Sequence, residues 1–574
     1  MSRLMTKALR LFLPLALLGA CATQPAAEAR PETATVKPNG AVSSADPRAS
    51  EAGREILRAG GSASDAAIAM MAALTVVEPQ SSGIGGGGFF LVHDAAGNRI
   101  ETYDGRETAP AAATPHYFFV DGKPLSHADA VPGGKSVGVP GNLRMMAKVH
   151  ERHGKLPWAR LFDPAIRLAR DGFAITPRLY RALAANKDDI LSPWARGQFF
   201  GSDGEPKPVG TILRNPELAT FLETLAARGP DSFYVGPAAQ DLVQTVANAP
   251  RNPSPMTLGD LASYDAKERP PVCGTYRGYK ICGMGPPSSG GTTVYAILKQ
   301  LEGFDLAALG KDNPVAWHLI AESMRLAYAD REVYLADPDY VRVPVGGLIA
   351  PDYLAERARQ IAPDRAIAHV TAGKPAGAQL MPAVADGEVP STSHMVAVDG
   401  AGNVANVTST IEGAFGSGLT SNGYFLNNEL TDFTIIPEKD GLVVGNRVEG
   451  GKRPRSSMSP TIVYGPDGKV RIAIGAAGGV TIIAQVAKAL IGVLDWNLSA
   501  QEAIALPQII GLGDRVTVER GSALEAMIPA LAALGTKAVP ANPSFKANAI
   551  ERTPAGWRGA ADPRSEGVAL AEQE

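Results

Sequence analysis

The sequence predicts a layered α+β fold in which strands from both ends of the chain surround a helical middle. Three segments, FFLVHDAAGNRIETYDG, HMVAVDGAGNVANVTST and TIVYGPDGKVRIAIGAAGG, share one grammar of strand, Asp/Gly/Asn turn and strand. Alternating apolar residues around such turns mark β-hairpins. Between the first hairpin and the other two, residues 140–370 carry helical periodicity, as in AWHLIAESMRLAYADREVYL. No repeated βαβ order and no solenoid period is present. By length, 574 residues suggest about four domains at roughly 150 residues each. The hairpins instead argue for one composite body fed by both ends of the chain.

Taken in order, Arg3, Lys7 and Arg10 precede the ten-residue apolar run 11–20, which meets Leu18-Gly19-Ala20-Cys21. A basic start, a short apolar core and small residues before a cut describe a secretory signal over residues 1–21. The run is too short to span a bilayer. Cysteine after Leu-Gly-Ala resembles a bacterial lipobox, which implies acylation at Cys21. With Ala22 next, it implies a periplasmic protein lipid-anchored to the outer membrane. Residues 22–38, polar and Ala/Pro-rich, read as a flexible tether.

Residues 47–77 read as two helices parted by Gly60-Gly61, with Asp65 as N-cap of the second and Pro79 after its end. Gly83-x-Gly85-x-x-Gly88 then matches a dinucleotide fingerprint, which needs a strand before it and a helix after it. Here a helix precedes and Phe89-Phe90-Leu91-Val92 reads as a strand. The cofactor reading is rejected in favour of small residues approaching another backbone closely.

Besides Cys21, the cysteines lie in PVCGTYRGYKICGM. A hairpin turning at Arg277-Gly278 pairs Tyr276 with Tyr279 and, counting outward, Cys273 with Cys282. That pair is of the non-hydrogen-bonded kind, with close Cα atoms, which suits a disulfide in an exported protein.

Composition excludes several classes. Basic and acidic residues number 55 and 58, leaving −3, without the basic excess of a nucleic-acid binder. With 62 Gly and 45 Pro the chain is turn-rich but globular. No Gly-x-Ser-x-Gly elbow, P-loop or His-Glu-x-x-His occurs. His150 and His153 lack acidic or thiol companions and read as solvated helix-end residues. No metal and no cofactor is implied. What remains is Ser391-Thr392-Ser393-His394, hydroxyls that by themselves would be ordinary turn residues before a strand.

Wider matches give that run meaning. TSHMVAVDGAGNVANVTST followed by FGSG, FLNNELTDF, GKRPRSSMSPTIV and GAAGG resembles the small subunit of γ-glutamyltranspeptidases. SEAGREILRAGGSASDAA, VVEPQSSGIGGGGFFLV, DGRETAP, PPSSGG and YADREVYLADPDY resemble the large subunit. Together with the terminal ADPRS, the match covers roughly residues 40–566. The resemblance implies a four-layer αββα sandwich of the N-terminal nucleophile hydrolase type. Residues 39–391 would form a large subunit holding the helical region, and residues 392–574 a small catalytic subunit, the two remaining a heterodimer.

The same resemblance implies that the precursor cuts itself between Ser391 and Thr392. The freed α-amino group, ordinarily titrating at ~7.7–8, would then serve as base to the hydroxyl of its own residue. His394 sets the register, with Ser391 and Ser393 as the alternative nucleophiles. Thr410 matches the threonine that bonds the nucleophile, and Gly478 and Gly479 match the oxyanion hole. Arg106, Ser456 and Ser457 match groups that bind a substrate α-carboxylate, and Glu429 and Asp432 match the pair facing its α-ammonium. Glu412 stands where studied members carry asparagine, making the shell net negative. Residues 433–452 are short and lack the tyrosine of a lid found in some members. The implied activity is γ-glutamyl hydrolysis or transfer from glutathione or similar small amides. The rivals are a glutaryl-cephalosporin acylase of the same family and an uncut, inactive lipoprotein serving as a binding module.

Overall fold

All three predicted hairpins form, and two of them lie side by side in one sheet. Strand Gly87–Asp94 pairs with Arg99–Asp104, Ser393–Val398 with Val404–Thr410, and Thr461–Tyr464 with Val470–Ala477, all antiparallel. The computed structural model describes residues 40–384, 391–542 and 545–573. Cys21, the signal segment and the 22–38 tether lie outside the described residues.

The first sheet has seven strands, in the order Val568–Ala571, Ala41–Ser44, Ser393–Val398, Val404–Thr410, Gly87–Asp94, Arg99–Asp104 and Lys267–Arg269. A strand from the start of the described chain thus sits between one from residues 393–398 and one from its end. The second sheet runs Gly556–Ala561, Lys546–Thr553, Val470–Ala477, Thr461–Tyr464, Tyr279–Gly283 and Val272–Tyr276. Strand Ser393–Val398 packs across onto Val470–Ala477 and Lys546–Thr553. Helices Pro47–Arg58 and Ala63–Val77 cover the outer face of the first sheet, and Gly290–Leu301 and Ile482–Leu494 that of the second. The four layers are therefore αββα.

Side-chain alternation explains why the central strands are apolar on both faces. Phe90, Val92, Met395 and Ala397 join one hydrophobic core with the Ala63–Val77 helix. Phe89, Leu91, Val396 and Val398 join the core between the sheets. Every residue of Ala63–Val77 is buried, so its Ala-rich composition is what a helix enclosed on all sides needs. Its N-cap is Ser62 rather than Asp65. Ser62 Oγ accepts from Asp65 N–H while Asp65 Oδ2 accepts from Ser62 N–H, a reciprocal box that places Asp65 three residues into the helix.

The glycine run earns its composition from close contact. A Cβ on Gly85 would stand 2.1 Å from the Phe425 carbonyl oxygen, and one on Gly86 1.9 Å from that of Thr410. At Gly88 it would meet the Thr408 carbonyl oxygen at 2.4 Å. Only glycine lets these backbones touch. Cys273 lies opposite Cys282 in the register Tyr276–Tyr279, Thr275–Lys280, Gly274–Ile281, with Cα atoms 4.2 Å apart and the disulfide formed. His150 and His153 do not converge on a common site and are not freely solvated. His150 Nε2 is 2.8 Å from the Leu156 carbonyl oxygen, and His153 Nε2 is 2.8 Å from Glu101 Oε2. Among the described residues no group of three or more His, Cys, Asp or Glu could hold a metal ion. No described helix is long and apolar enough to cross a membrane.

Candidate active site

The hairpin register builds the centre of the site. Ser393 pairs with Ser409, so Thr392 and Thr410 come face to face one step further along. Thr392 Oγ1 donates to Thr410 Oγ1 at 3.0 Å, and Thr410 Oγ1 also accepts from the Glu412 N–H at 2.8 Å. Thr392 N–H donates to the Ser81 carbonyl at 3.1 Å, and Ser391 Oγ to the Gln80 carbonyl at 2.8 Å. The loop after Ala63–Val77 therefore holds both residues of the Ser391–Thr392 bond. Thr392 adopts φ +92°, an outlier for a β-branched residue that stores on the order of 1–3 kcal/mol.

Opposite Thr392, a buried cluster of charge forms around Arg106. Glu429 and Asp432 lie on one 3₁₀ turn, Glu429–Asp432, where three residues per turn bring positions i and i+3 to the same side. Their carboxylates both pair with the Arg106 guanidinium, whose Nε and Nη2 also donate to the carbonyls of Pro454 (3.2 Å) and Arg455 (2.8 Å). Burial opposes the charge on Arg106, but Glu429, Asp432 and Glu107 outweigh it and hold the guanidinium charged. Burial likewise pushes the Glu429 carboxyl well up, against the pull of Arg106.

Ser456 and Ser457 complete the wall. The PPSSGG motif braces them: Ser289 N–H and Oγ both donate to the Ser456 carbonyl at 2.7 Å. Arg331 Nη2 donates to Ser457 Oγ at 2.6 Å. Gly478 and Gly479 follow strand Val470–Ala477 with φ +134° and +58° and lead into helix Ile482–Leu494. Glu412 is held by the Asn428 side-chain amide.

One small cleft is lined by Thr392, Thr410, Glu412, Arg106, Glu429, Asp432, Ser456, Ser457 and Gly479. Of the residues expected in catalysis and substrate binding, only Gly478 stands back from its surface. Met458 and Ile482 supply apolar lining that nothing in the sequence singled out. Two further charges escaped sequence reading, Glu107 beside Arg106 and Arg331 behind Ser457, although both lie inside motifs already quoted. Each is a charged residue buried to 1% exposure or less.

Glu107 carries a testable consequence. Its Oε2 is 3.9 Å from Arg106 Nη1, and burial pushes its carboxyl up to about 8 despite that neighbour. A carboxyl raised on folding lends stability that is complete below its ordinary value near 4.3 and is lost as pH rises through about 8. Glu107→Gln is expected to flatten this fall. Thermal melts of wild type and variant from pH 4.5 to 8.5 check it, and parallel curves would refute it.

The sequence matches the Gamma-glutamyltranspeptidase family over residues 49–572. It is 38% identical to the glutathione hydrolase proenzyme of Bacillus subtilis, over 82% of this chain and 80% of that one. It is 35% identical to the acylase ACY 1 proenzyme of a Pseudomonas strain, SE83, over 92% of both. Among solved structures, the cephalosporin acylase of Bacillus halodurans superposes with a TM-score of 0.82 at 27% identity, covering 93% of this chain and 96% of the other. Matched along nearly its whole described length in both sequence and architecture, the chain belongs to the γ-glutamyltranspeptidase family of N-terminal nucleophile hydrolases.

Proposed function

We propose that the chain is the precursor of a γ-glutamyl hydrolase/transferase that cuts itself before Thr392 and then uses Thr392 as nucleophile. The observation that carries this reading is the Arg106–Glu429–Asp432 charge cluster in the same cleft as the Thr392–Thr410 hydroxyl pair. A γ-glutamyl group ends in an α-carboxylate and an α-ammonium. The carboxylate would share Arg106 with Glu429 and Asp432 and meet the Ser456 and Ser457 hydroxyls, while the ammonium would take over Glu429 and Asp432, with Glu412 and its Asn428 partner alongside. A glutaryl group lacks the ammonium and would add its own carboxylate to Glu429 and Asp432 with Arg106 as their shared cation, a buried excess of negative charge, which is costly.

In the proposed chemistry, Thr392 Oγ first attacks the Ser391 carbonyl carbon. The C–N bond breaks to give an ester, and water releases the ester, leaving a free amine on Thr392. Departure from φ +92° relieves strain as that bond opens. In turnover the amine takes the Oγ proton, Oγ bonds to the γ-carbonyl carbon, and Gly478 and Gly479 N–H groups receive the negative oxygen. The amine then returns its proton to the leaving nitrogen, and water or an acceptor amine resolves the ester in the same way.

Purified protein incubated with γ-glutamyl-p-nitroanilide and with glutaryl-p-nitroanilide tests the reading. Activity on the first alone is expected, and a preference for the second would favour an acylase. Stimulation by added Gly-Gly would place transfer above hydrolysis. We also propose export and lipid anchoring through Cys21, for which the Cys273–Cys282 disulfide is support, since such bonds persist outside the reducing cytoplasm. Fatty-acid labelling that survives Cys21→Ser would sink the anchor.

A further inference from the structure

A second buried ion pair, outside the lining of the cleft, contacts the residues next to Thr392. Glu78, the residue after helix Ala63–Val77, accepts from Lys546 Nζ at both carboxylate oxygens, 3.1 and 2.8 Å. Glu78 Oε2 also accepts from Ser393 Oγ at 2.6 Å. Lys546 Nζ reaches Ser81 Oγ at 3.3 Å and Ser393 Oγ at 3.4 Å. Both charged side chains are buried. The pair thus grips the residue that follows Thr392 and the residue whose carbonyl takes the Thr392 N–H. Lys546 also faces Ala477 across the sheet, immediately before Gly478 and Gly479.

A buried ion pair adds little stability over apolar residues of the same volume, so its presence here calls for another role. We infer that Lys546 and Glu78 are positioning residues for the α-amino group released by a cut before Thr392, holding it on the Ser81 carbonyl in a surrounding of balanced charge. This rests on the self-cleavage reading above. The amine keeps the acceptor that the peptide N–H has now, and its free pair is thereby turned away from Ser81 and available to Oγ. Balance matters because a lone carboxylate beside Ser393 would hold the amine protonated, and a lone ammonium there would depress it.

The other charges around this point are few. Arg178 Nε stands 3.5 Å from Glu78 Oε1 at the rim, and Asp46 acts on Lys546 from further off. Arg106, Glu412, Glu429 and Asp432 face Thr392 across the cleft. His394, two residues on, is pushed down to about 3 by burial and stays neutral. Burial also brings Lys546 down to about 8, against the pull of Glu78.

The test compares wild type, Lys546→Met, Glu78→Gln, the double variant Glu78→Gln/Lys546→Met and Lys546→Arg. The α-amine of fragment 392–574 is titrated by pH-dependent acetic anhydride labelling read by mass spectrometry. The acid limb of kcat/KM on γ-glutamyl-p-nitroanilide is followed in parallel. Lys546→Met is expected to raise both midpoints by about one pH unit and Glu78→Gln to lower them similarly. The double variant and Lys546→Arg are expected to lie close to wild type. Equal losses of rate at every pH, with unmoved midpoints, would overturn the proposal in favour of a purely structural pair. If the single variants stay uncut, the double variant is expected to cut where they do not, and its failing equally would also overturn it. Labelling needs no substrate, so a cut wild type inactive on the γ-glutamyl amide sinks only the substrate reading, and an uncut wild type sinks self-cleavage itself.

Discussion

Thr392→Ala is expected to leave the purified protein as one continuous chain, where wild type resolves into fragments ending at Ser391 and beginning at Thr392. The side-chain oxygen is the only atom of Thr392 bonded to Thr410, and the variant removes it while keeping the backbone bond to Ser81. Folding should therefore survive, with an unchanged circular dichroism spectrum. Turnover should fall by at least ~10³-fold, as it does when a nucleophile acting as part of a unit is deleted. Thr392→Ser, which keeps the oxygen, is expected to cut and to retain part of the activity. Sequencing the smaller fragment decides the register, since an N-terminus at Ser391 or Ser393 would move the assignment to one of those hydroxyls. A Thr392→Ala protein that still cuts at the same bond would end it.

Gly86→Ala is expected to be a severe change for a single added methyl group. The new Cβ would be placed 1.9 Å from the carbonyl oxygen of Thr410, and 2.9 Å from Ile411 Cγ2. The obstacle is backbone at the end of a paired strand, so no side chain can swing aside. Overpacking of this kind costs typically 1–3 kcal/mol, and relief by moving Thr410 would break its bond to Thr392. Both the urea midpoint and the rate of self-cleavage should drop. Gly197→Ala serves as the control, because nothing stands within 4 Å of that position and it lies in helix Pro193–Phe199. There alanine should be neutral or slightly stabilising. A Gly86→Ala protein with wild-type midpoint and cleavage would show that the loop is looser than its contacts say.

Local pattern made the hairpins legible, because turn residues and strand alternation are read within a dozen positions. The pairing of Cys273 with Cys282 followed from counting outward from Arg277-Gly278. The cap of Ala63–Val77 was misplaced by three residues for a physical reason: in a reciprocal box the Ser and the Asp both look like caps, and only the direction of the hydrogen bonds separates them. The site residues came from motif resemblance rather than from periodicity. Glu107, Arg331 and the Glu78–Lys546 pair were invisible as roles, since a buried charge carries no periodic signal. Glu78 and Lys546 are 468 positions apart, and only the fold discloses that they touch.

Strand Ala41–Ser44, held between residues 393–398 and 568–571, gives the proposed cut an unequal effect in time. Before it, folding is a unimolecular event, independent of how dilute the chain is. After it, the same sheet is shared by two molecules, so reassembly becomes second-order and the stability of the mature protein depends on concentration. A chain severed too early would have to find its other half by diffusion, whereas one that reacts only once Thr392 and Thr410 are in register has already finished that search. The order of events, folding first and scission second, makes the mature heterodimer easier to form than to form again.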